Sequence, residues 1–313
     1  MNGQGKLLTH FLKNADKLVI PVYQRNYDWK EEHCKKLYSD LVKTVREGKR
    51  WHFFGGIVSV SDPMGSSSDY LVIDGQQRIT TVSLLLLAIA NLVKAGIVTP
   101  KDPNLYDVIT KKYLVDEINP KQRKMKLKPI KGDQDSYDRL WGDPSEYNQS
   151  SRITQNYLYF YNQIQRDDIS VDQLFSAVEK LQIIDITLTP PDDDPQLVFE
   201  SLNSTGLDLN EGDKIRNFVL MRRSMEEQEQ FYDDYWSPIE KNAGYDKQTN
   251  SYDVSPFIRD YLGIKERRLT AMKEIYQEFK DYVEKRGQIE DVLKELLDYA
   301  KRYNKIRSGI PEF

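Results

Sequence analysis

The stretch Tyr70 to Val93, YLVIDGQQRITTVSLLLLAIANLV, constrains the fold more than any other. Its first residues form a short apolar run of the kind that makes a buried strand. From about Gln77 to Lys94 a helix is predicted. Val82, Leu84, Leu85, Leu86, Leu87, Ala88 and Ile89 make it apolar nearly all round, so its body must be buried. Gly96 ends it. The run is too short to span a bilayer, and a chain of 313 residues can bury it in a core of its own. Between strand and helix stand Asp74, Gly75, Gln76, Gln77 and Arg78, polar groups at the mouth of two buried elements.

The rest of the chain divides by pattern. KLVIPVY (17–23) reads as extended, with Pro21 suited to a strand end or edge. WKEEHCKKLYSDLVKTVREG carries Leu37, Leu41 and Val45 at helical spacing and stops at Gly48. WHFFGGIVSVSD reads as a strand, followed by the loop PMGSSSD. After Pro100, helical segments surround KQRKMKLKPI, whose alternation predicts a strand. LQIIDITLT (181–189) is a strand of buried type expected to return to the first sheet. From Pro195 onward nearly everything reads helical, with two segments after Ser255. The fold class is α+β: a small mixed sheet with helices, then a mainly helical region. The expected organisation is an α/β core over 1–100, a helical insertion with the returning strand over 101–222, and a helical region over 223–313.

Composition narrows the class. Hydrophobic content is 39%, charged content 30%, net charge −4 and the sequence pI about 5.6. This is a globular composition with no global basicity, though a local basic face is compatible with it. A single cysteine, Cys34, rules out an intramolecular disulfide framework and suits a reducing compartment. MNGQGKLLTHFLKN lacks the apolar core of a signal peptide. A soluble, cytoplasmic protein without a membrane anchor is the expectation. Three histidines and one cysteine argue against a zinc site of the usual ligand types.

Four constellations have the chemistry of a site. At Asp74–Arg78, Gly75 permits a tight turn. The following helix opens with free N–H groups and a positive dipole end, an arrangement that binds anions. Arg78 can fork onto phosphate oxygens, and Asp74 is a candidate for Mg²⁺. A capped strand–turn–helix junction accounts for the same residues. In IPVYQRNYDW, Arg25 can meet phosphate and Tyr23 or Trp29 can stack on a base, while a helix-entry loop with core aromatics is the plainer account. In FESLNSTGLDLNEGDKIRN, Glu200 and Asn203 share a helix face, and Asp208 or Asn210 can cap the next helix, on which Asp213, Lys214 and Asn217 lie. A capped helix–turn–helix explains that segment too. Finally, Lys121, Arg123, Lys124, Lys126, Lys128 and Lys131 form a basic run. It is either a nucleic-acid contact, carried by Lys124, Lys126 and Lys128, or a lysine-guarded sheet edge. The Tyr157, Tyr159, Phe160, Tyr161 stripe reads as core and interface.

Taken in order, IPVYQRNYDW, FFGGIVSV, VIDGQQRITTVSLLLLAI and FESLNSTGLDLNEGDKIRNFVL resemble the N-terminal domain of GmrSD-type restriction proteins, of the ParB/sulfiredoxin-like superfamily. The resemblance covers roughly Leu7 to Arg222. It implies bacterial defence against phage or foreign DNA, often DNA with modified bases or backbone. It also implies a nucleoside triphosphate, GTP or ATP, bound and hydrolysed with Mg²⁺ through Asp-Gly-Gln-Gln-Arg. Asp74, Gln76, Gln77 and Arg78 are then the catalytic candidates. Tyr23, Gln24, Arg25, Gly75, Thr80, Glu200, Asn203, Asp213 and Lys214 are the nucleotide-binding ones, and Gly206 matches Phe-Glu-x-Leu-Asn-x-x-Gly. Relatives commonly carry a His-based nuclease motif in a second domain, and no histidine here lies beyond His52. A nuclease domain or partner subunit is therefore an expected partner, with DNA, and the chain could equally be a fragment or act alone. An oligomer is compatible with all of this. No Walker A signature is present. The expected mechanism is phosphate capture at the helix start, with charge neutralised by Arg78 and Arg25 and water oriented by a glutamine or carboxylate. A non-hydrolysing DNA- or modification-sensing module is the alternative, and a metal-dependent nuclease on Asp74, Glu200 and Asp213 a third.

Overall fold

The computed structural model describes residues 2–61, 69–116, 124–166, 169–190, 192–203, 209–221, 223–246 and 251–308. It divides into two compact units, Met1–Pro21 with Arg25–Pro195, and Val22–Gln24 with Gln196–Phe313.

The first unit runs β1 (Asn2–Leu7), α1 (Leu8–Asn14), β2 (Lys17–Val19), α2 (Glu31–Arg46), β3 (His52–Ser61), β4 (Asp69–Asp74), α3 (Gln76–Lys94), α4 (Leu105–Ile109), β5 (Val115–Asp116), β6 (Lys124–Met125), β7 (Leu127–Lys128), α5 (Lys131–Arg139), α6 (Arg152–Arg166), α7 (Val171–Val178) and β8 (Leu181–Leu188). Its six-stranded mixed sheet has the order β1-β8-β3-β4-β2-β7. The class is α+β. β8 enters beside β3 in parallel, with Gly56 opposite Ile184 and Val60 opposite Leu188, so the late strand does return to the first sheet. β1 is an addition: NGQGKL has no strand-like apolar alternation, and its pairing with β8 defines it.

Helix α3 is the core of this unit. Ile79, Val82, Leu84 to Leu87, Ile89 and Leu92 are fully buried, packed against α4, α6 and α7. Burying one such side chain is worth about 1.5–3 kcal/mol, so the helix is fixed at both ends by its own body. It is the one described helix long and apolar enough to cross a membrane, and its apolar surface is spent internally.

The second unit begins at α8 (Pro195–Asn203) and continues with α9 (Glu211–Leu220), α10 (Met225–Phe231), α11 (Ser237–Ile239), a small pair β9 (Tyr245–Asp246) and β10 (Ser251–Tyr252), α12 (Ser255–Glu266), α13 (Ile275–Arg286) and α14 (Ile289–Arg307). Trp236, Tyr261 and Phe279 are among its fully buried side chains. Among the described residues, the region from Ser255 onward holds three α-helices, α12 to α14, not two. Gly287, at φ +79°, ends α13 and lets the chain turn into α14.

Candidate functional site

Gly75 makes the junction. Its φ is +94°, and a Cβ there would stand 3.0 Å from both Gly56 O and Ile57 Cγ1. Backbone conformation and close approach to β3 each demand glycine. No side chain caps α3, so the opening N–H groups of a 19-residue helix face the junction without a side-chain acceptor. Asp74 closes β4 opposite Val58.

Arg78 lies in the first turn of α3. Its Nη1 donates to Gly56 O at 3.0 Å and sits 3.8 Å from Asp74 Oδ2. Gly55, at φ +117°, makes room for it, since a Cβ on that residue would be 2.6 Å from Arg78 Nε. The register of β3 against β8 shifts between Phe53 and Gly55, so a bulge in the strand forms the cradle. The Arg78 side chain is about a third exposed.

The two glutamines differ. Gln77 Oε1 accepts the N–H groups of Asp28 (3.0 Å) and Trp29 (3.2 Å), and Nε2 donates to Asn26 O (3.3 Å). It is fully used in holding the loop after Arg25. Gln76 is 8% exposed, yet its amide meets no hydrogen-bond partner among the described residues. Consecutive residues on a helix point about 100° apart, which sends one amide into the loop and leaves the other without a protein partner.

The loop Asn26–Trp29 is clamped from further sides. Tyr27 N–H donates to Asp133 Oδ2 on α5 at 2.6 Å. Tyr27 Oη is 2.7 Å from Thr81 Oγ1, and Asn156 Nδ2 on α6 donates to Tyr27 Oη (2.9 Å) and Trp29 O (2.6 Å). Burial pushes the Asp133 carboxyl up to about 6, against the opposing hydrogen bond from Tyr27 N–H. Trp29 packs against the core and stacks on His33, with ring centroids 5.4 Å apart. Arg25, half-buried, immediately precedes this rigid loop. Thr80 is buried at 2% exposure.

In the second unit Tyr23 is buried, its hydroxyl pKa raised by burial, and its carbonyl accepts from Arg216 Nε at 2.8 Å. Arg216 also donates to Asp213 Oδ1 (2.7 Å) and Glu240 Oε1 (2.9 Å). Burial works against its charge, but Asp213 and Glu240 more than offset that and hold its pKa up. Asn210 caps α9 by accepting from Asp213 N–H at 2.7 Å. Glu200 accepts from Gln196 Nε2 at 2.8 Å and from the Tyr276 hydroxyl. Lys214 Nζ is 2.6 Å from Glu211 Oε1. Glu200, Asp213 and Lys214 thus each have a partner inside this unit. Gln24 is buried.

The sequence candidates therefore divide. Asp74, Gly75, Gln76, Gln77, Arg78, Thr80 and Arg25 belong to the first unit; Tyr23, Gln24, Glu200, Asn203, Asp213 and Lys214 belong to the second. Asn203 ends α8; its side chain, with Gly206 and Asp208, lies outside the described residues, as do Lys121, Arg123, the Lys124 side chain and the 62–68 loop. Lys126 corrects the reading of an exposed basic stripe. It is buried at 7%, and its Nζ donates to the carbonyls of Leu12 and Lys13 at the end of α1. Burial lowers its pKa, against Asp16 and Asp116. The ammonium caps a helix C-terminus. Lys128 is exposed on β7, an outermost strand of the sheet.

Sequence reasoning passed over Gly55, Gly56, Asp133, Asn156 and Arg216. The glycine pair inside a strand pattern was a usable signal, since it marks a bulge or a close approach. The other three carry no local signal, because their partners are distant in sequence.

No curated protein matches the chain. The model of the GmrSD restriction endonuclease N-terminal domain matches residues 8–220, a span that takes in the glycine cradle, the Asp74–Arg78 junction and the segment carrying Arg216, and the chain belongs to that family.

Proposed function

We propose that the chain is the nucleoside-triphosphate-binding, and hydrolysing, module of a bacterial restriction system acting on modified DNA in the cytoplasm. Membership of a restriction-endonuclease family supports the restriction role. The observation that carries the nucleotide reading is Gln76: a residue only 8% exposed, its amide without a protein partner among the described residues, at a helix N-terminus with no side-chain cap, in the same first turn as the cradled Arg78. Phosphate suits free N–H groups and a guanidinium together.

In this reading the helix start takes the phosphates, Arg78 neutralises developing charge, and Gln76 orients the attacking water. Gln77 is a positioning residue that holds Asn26–Trp29 and with it the approach of Arg25. Mg²⁺ would suit the corner as an ion held largely by phosphate oxygens. Asp74 is a part-exposed carboxylate, and no cluster of three or more metal-ligating side chains exists among the described residues. The ion would be held by Asp74 with phosphate oxygens and water, and would supply charge neutralisation between phosphates. DNA and a nuclease domain or subunit are the partners that suit the role.

Phosphate release from ATP, GTP and the other triphosphates, with Mg²⁺ and with or without DNA, tests this. Arg78→Ala should weaken triphosphate binding roughly 10- to 100-fold, the range of one charge-assisted hydrogen bond, and abolish measurable release. Equal release by wild type and Arg78→Ala defeats the hydrolase reading. Binding without release in wild type leaves a non-hydrolysing module.

A further inference from the structure

The segment 43–53, KTVREGKRWHF, holds four cations and one acid, a local charge of +3 (4 − 1) in a chain of net −4. It joins the end of α2 to the start of β3. Trp51 and Phe53 are 55% and 54% exposed. Trp51 immediately precedes β3 and Phe53 is its second residue, while between them His52 Nε2 lies 3.6 Å from Asp40 Oδ2. Lys49, Arg50, Trp51, His52 and Phe53 line an open cleft of about 410 Å³. The one acid is already engaged, with Glu47 lying 3.0 Å from Lys49 and 3.8 Å from Lys43. Arg50 is exposed.

Two large solvent-facing aromatics two residues apart are costly surface unless something covers them. Their chemistry, with a guanidinium beside them, matches an unpaired nucleotide: base faces stack on aromatic rings, and the phosphate meets the cation. A duplex would offer only its phosphates, because its base faces are already stacked. A protein partner would find an apolar patch, but the excess of positive charge favours a polyanion.

We infer that Trp51 and Phe53, with Arg50, form a platform for unpaired or extruded nucleotides of a DNA strand, lined by none of the Asp74–Arg78 residues. The inference rests on DNA being a partner of this chain, and not on nucleotide hydrolysis.

Fluorescence anisotropy of a labelled oligothymidylate titrated with the whole chain is the test, beside a duplex of equal length. The single strand should bind more tightly, with an affinity that falls as salt rises. Trp51→Ala and Phe53→Ala should each weaken it roughly 5- to 100-fold, the span of one lost base stack. Arg50→Ala should flatten the salt dependence, and Trp51→Phe, which keeps a stacking face, should keep most of the binding if Trp51→Ala fails to fold. Absence of binding, equal binding of strand and duplex, or unchanged affinity in the Trp51→Ala/Phe53→Ala variant overturns the inference. So does a change in oligomeric state of that variant with DNA affinity intact, which would mark a protein-docking face. Loss of phosphate release in Arg78→Ala with strand binding preserved separates the two sites.

Discussion

Gly55 holds Arg78 in place by lacking a side chain: a Cβ on residue 55 would stand 2.6 Å from Arg78 Nε and 3.0 Å from its Cζ. The arginine of the Asp-Gly-Gln-Gln-Arg segment is thus positioned by a residue 23 places earlier (78 − 55), on β3, the neighbour of the strand that leads into its helix. Gly55→Ala should displace the guanidinium and strain a backbone at φ +117°, costing about 1–3 kcal/mol. Gly48→Ala is the control, since Gly48 also has positive φ but open space around it. Denaturant melts should show both variants destabilised, and isothermal titration should show triphosphate affinity lost in Gly55→Ala alone.

Gln76 and Gln77 should separate cleanly. Gln77→Ala leaves the N–H groups of Asp28 and Trp29 and the carbonyl of Asn26 without their partner, a loss on the order of 2–3 kcal/mol of stability. Gln76→Ala removes no protein hydrogen bond among the described residues, so stability should change by under about 1 kcal/mol while phosphate release falls. The reverse ranking by chemical denaturation would undo the assignment of roles.

Asp133 gives the first unit a pH dependence. Its carboxyl titrates at about 6 in the fold because burial outweighs the Tyr27 N–H bond, against about 3.9 in an unfolded chain. The folded state therefore binds the proton more tightly, and stability falls as pH rises from about 4 to about 6. The loss is on the order of 2–3 kcal/mol. Asp133→Asn should abolish that slope in urea melts across the interval, and an unchanged slope would assign the titration elsewhere.

Arg216 anchors the second unit through three partners, Tyr23 O, Asp213 and Glu240. Arg216→Met should cost about 3–5 kcal/mol, because it strands two carboxylates in a buried place. Arg216→Lys should recover only part, since an ammonium cannot reproduce the guanidinium fork. Thermal unfolding followed by circular dichroism at neutral pH ranks the three proteins.

Much of this was legible before any coordinates. The apolar period of residues 79–92 dictates a buried helix, Gly75 dictates a tight entry to it, and Asn210 dictates a cap, because these are local properties of side chain and backbone. The Lys124–Lys128 alternation reads as one strand, but only Leu127–Lys128 lies at the edge of the six-stranded sheet, Lys124–Met125 pairs with β5 in a separate ribbon, and Lys126 between them turns inward to cap α1. Whether a charge faces water depends on what packs over it, and nothing in a five-residue window says so.

The sequence by itself determined the α+β class, the strand–glycine–helix junction and the family, since hydrophobic period, turn chemistry and ordered motifs all act over short spans. Only the tertiary structure decided which glutamine is spent and which has no protein partner, why β3 carries two glycines, and that Tyr23 hangs from Arg216. Those are contacts between residues dozens to nearly two hundred positions apart, and burial and partnership are set by three-dimensional neighbours rather than by neighbours in the chain.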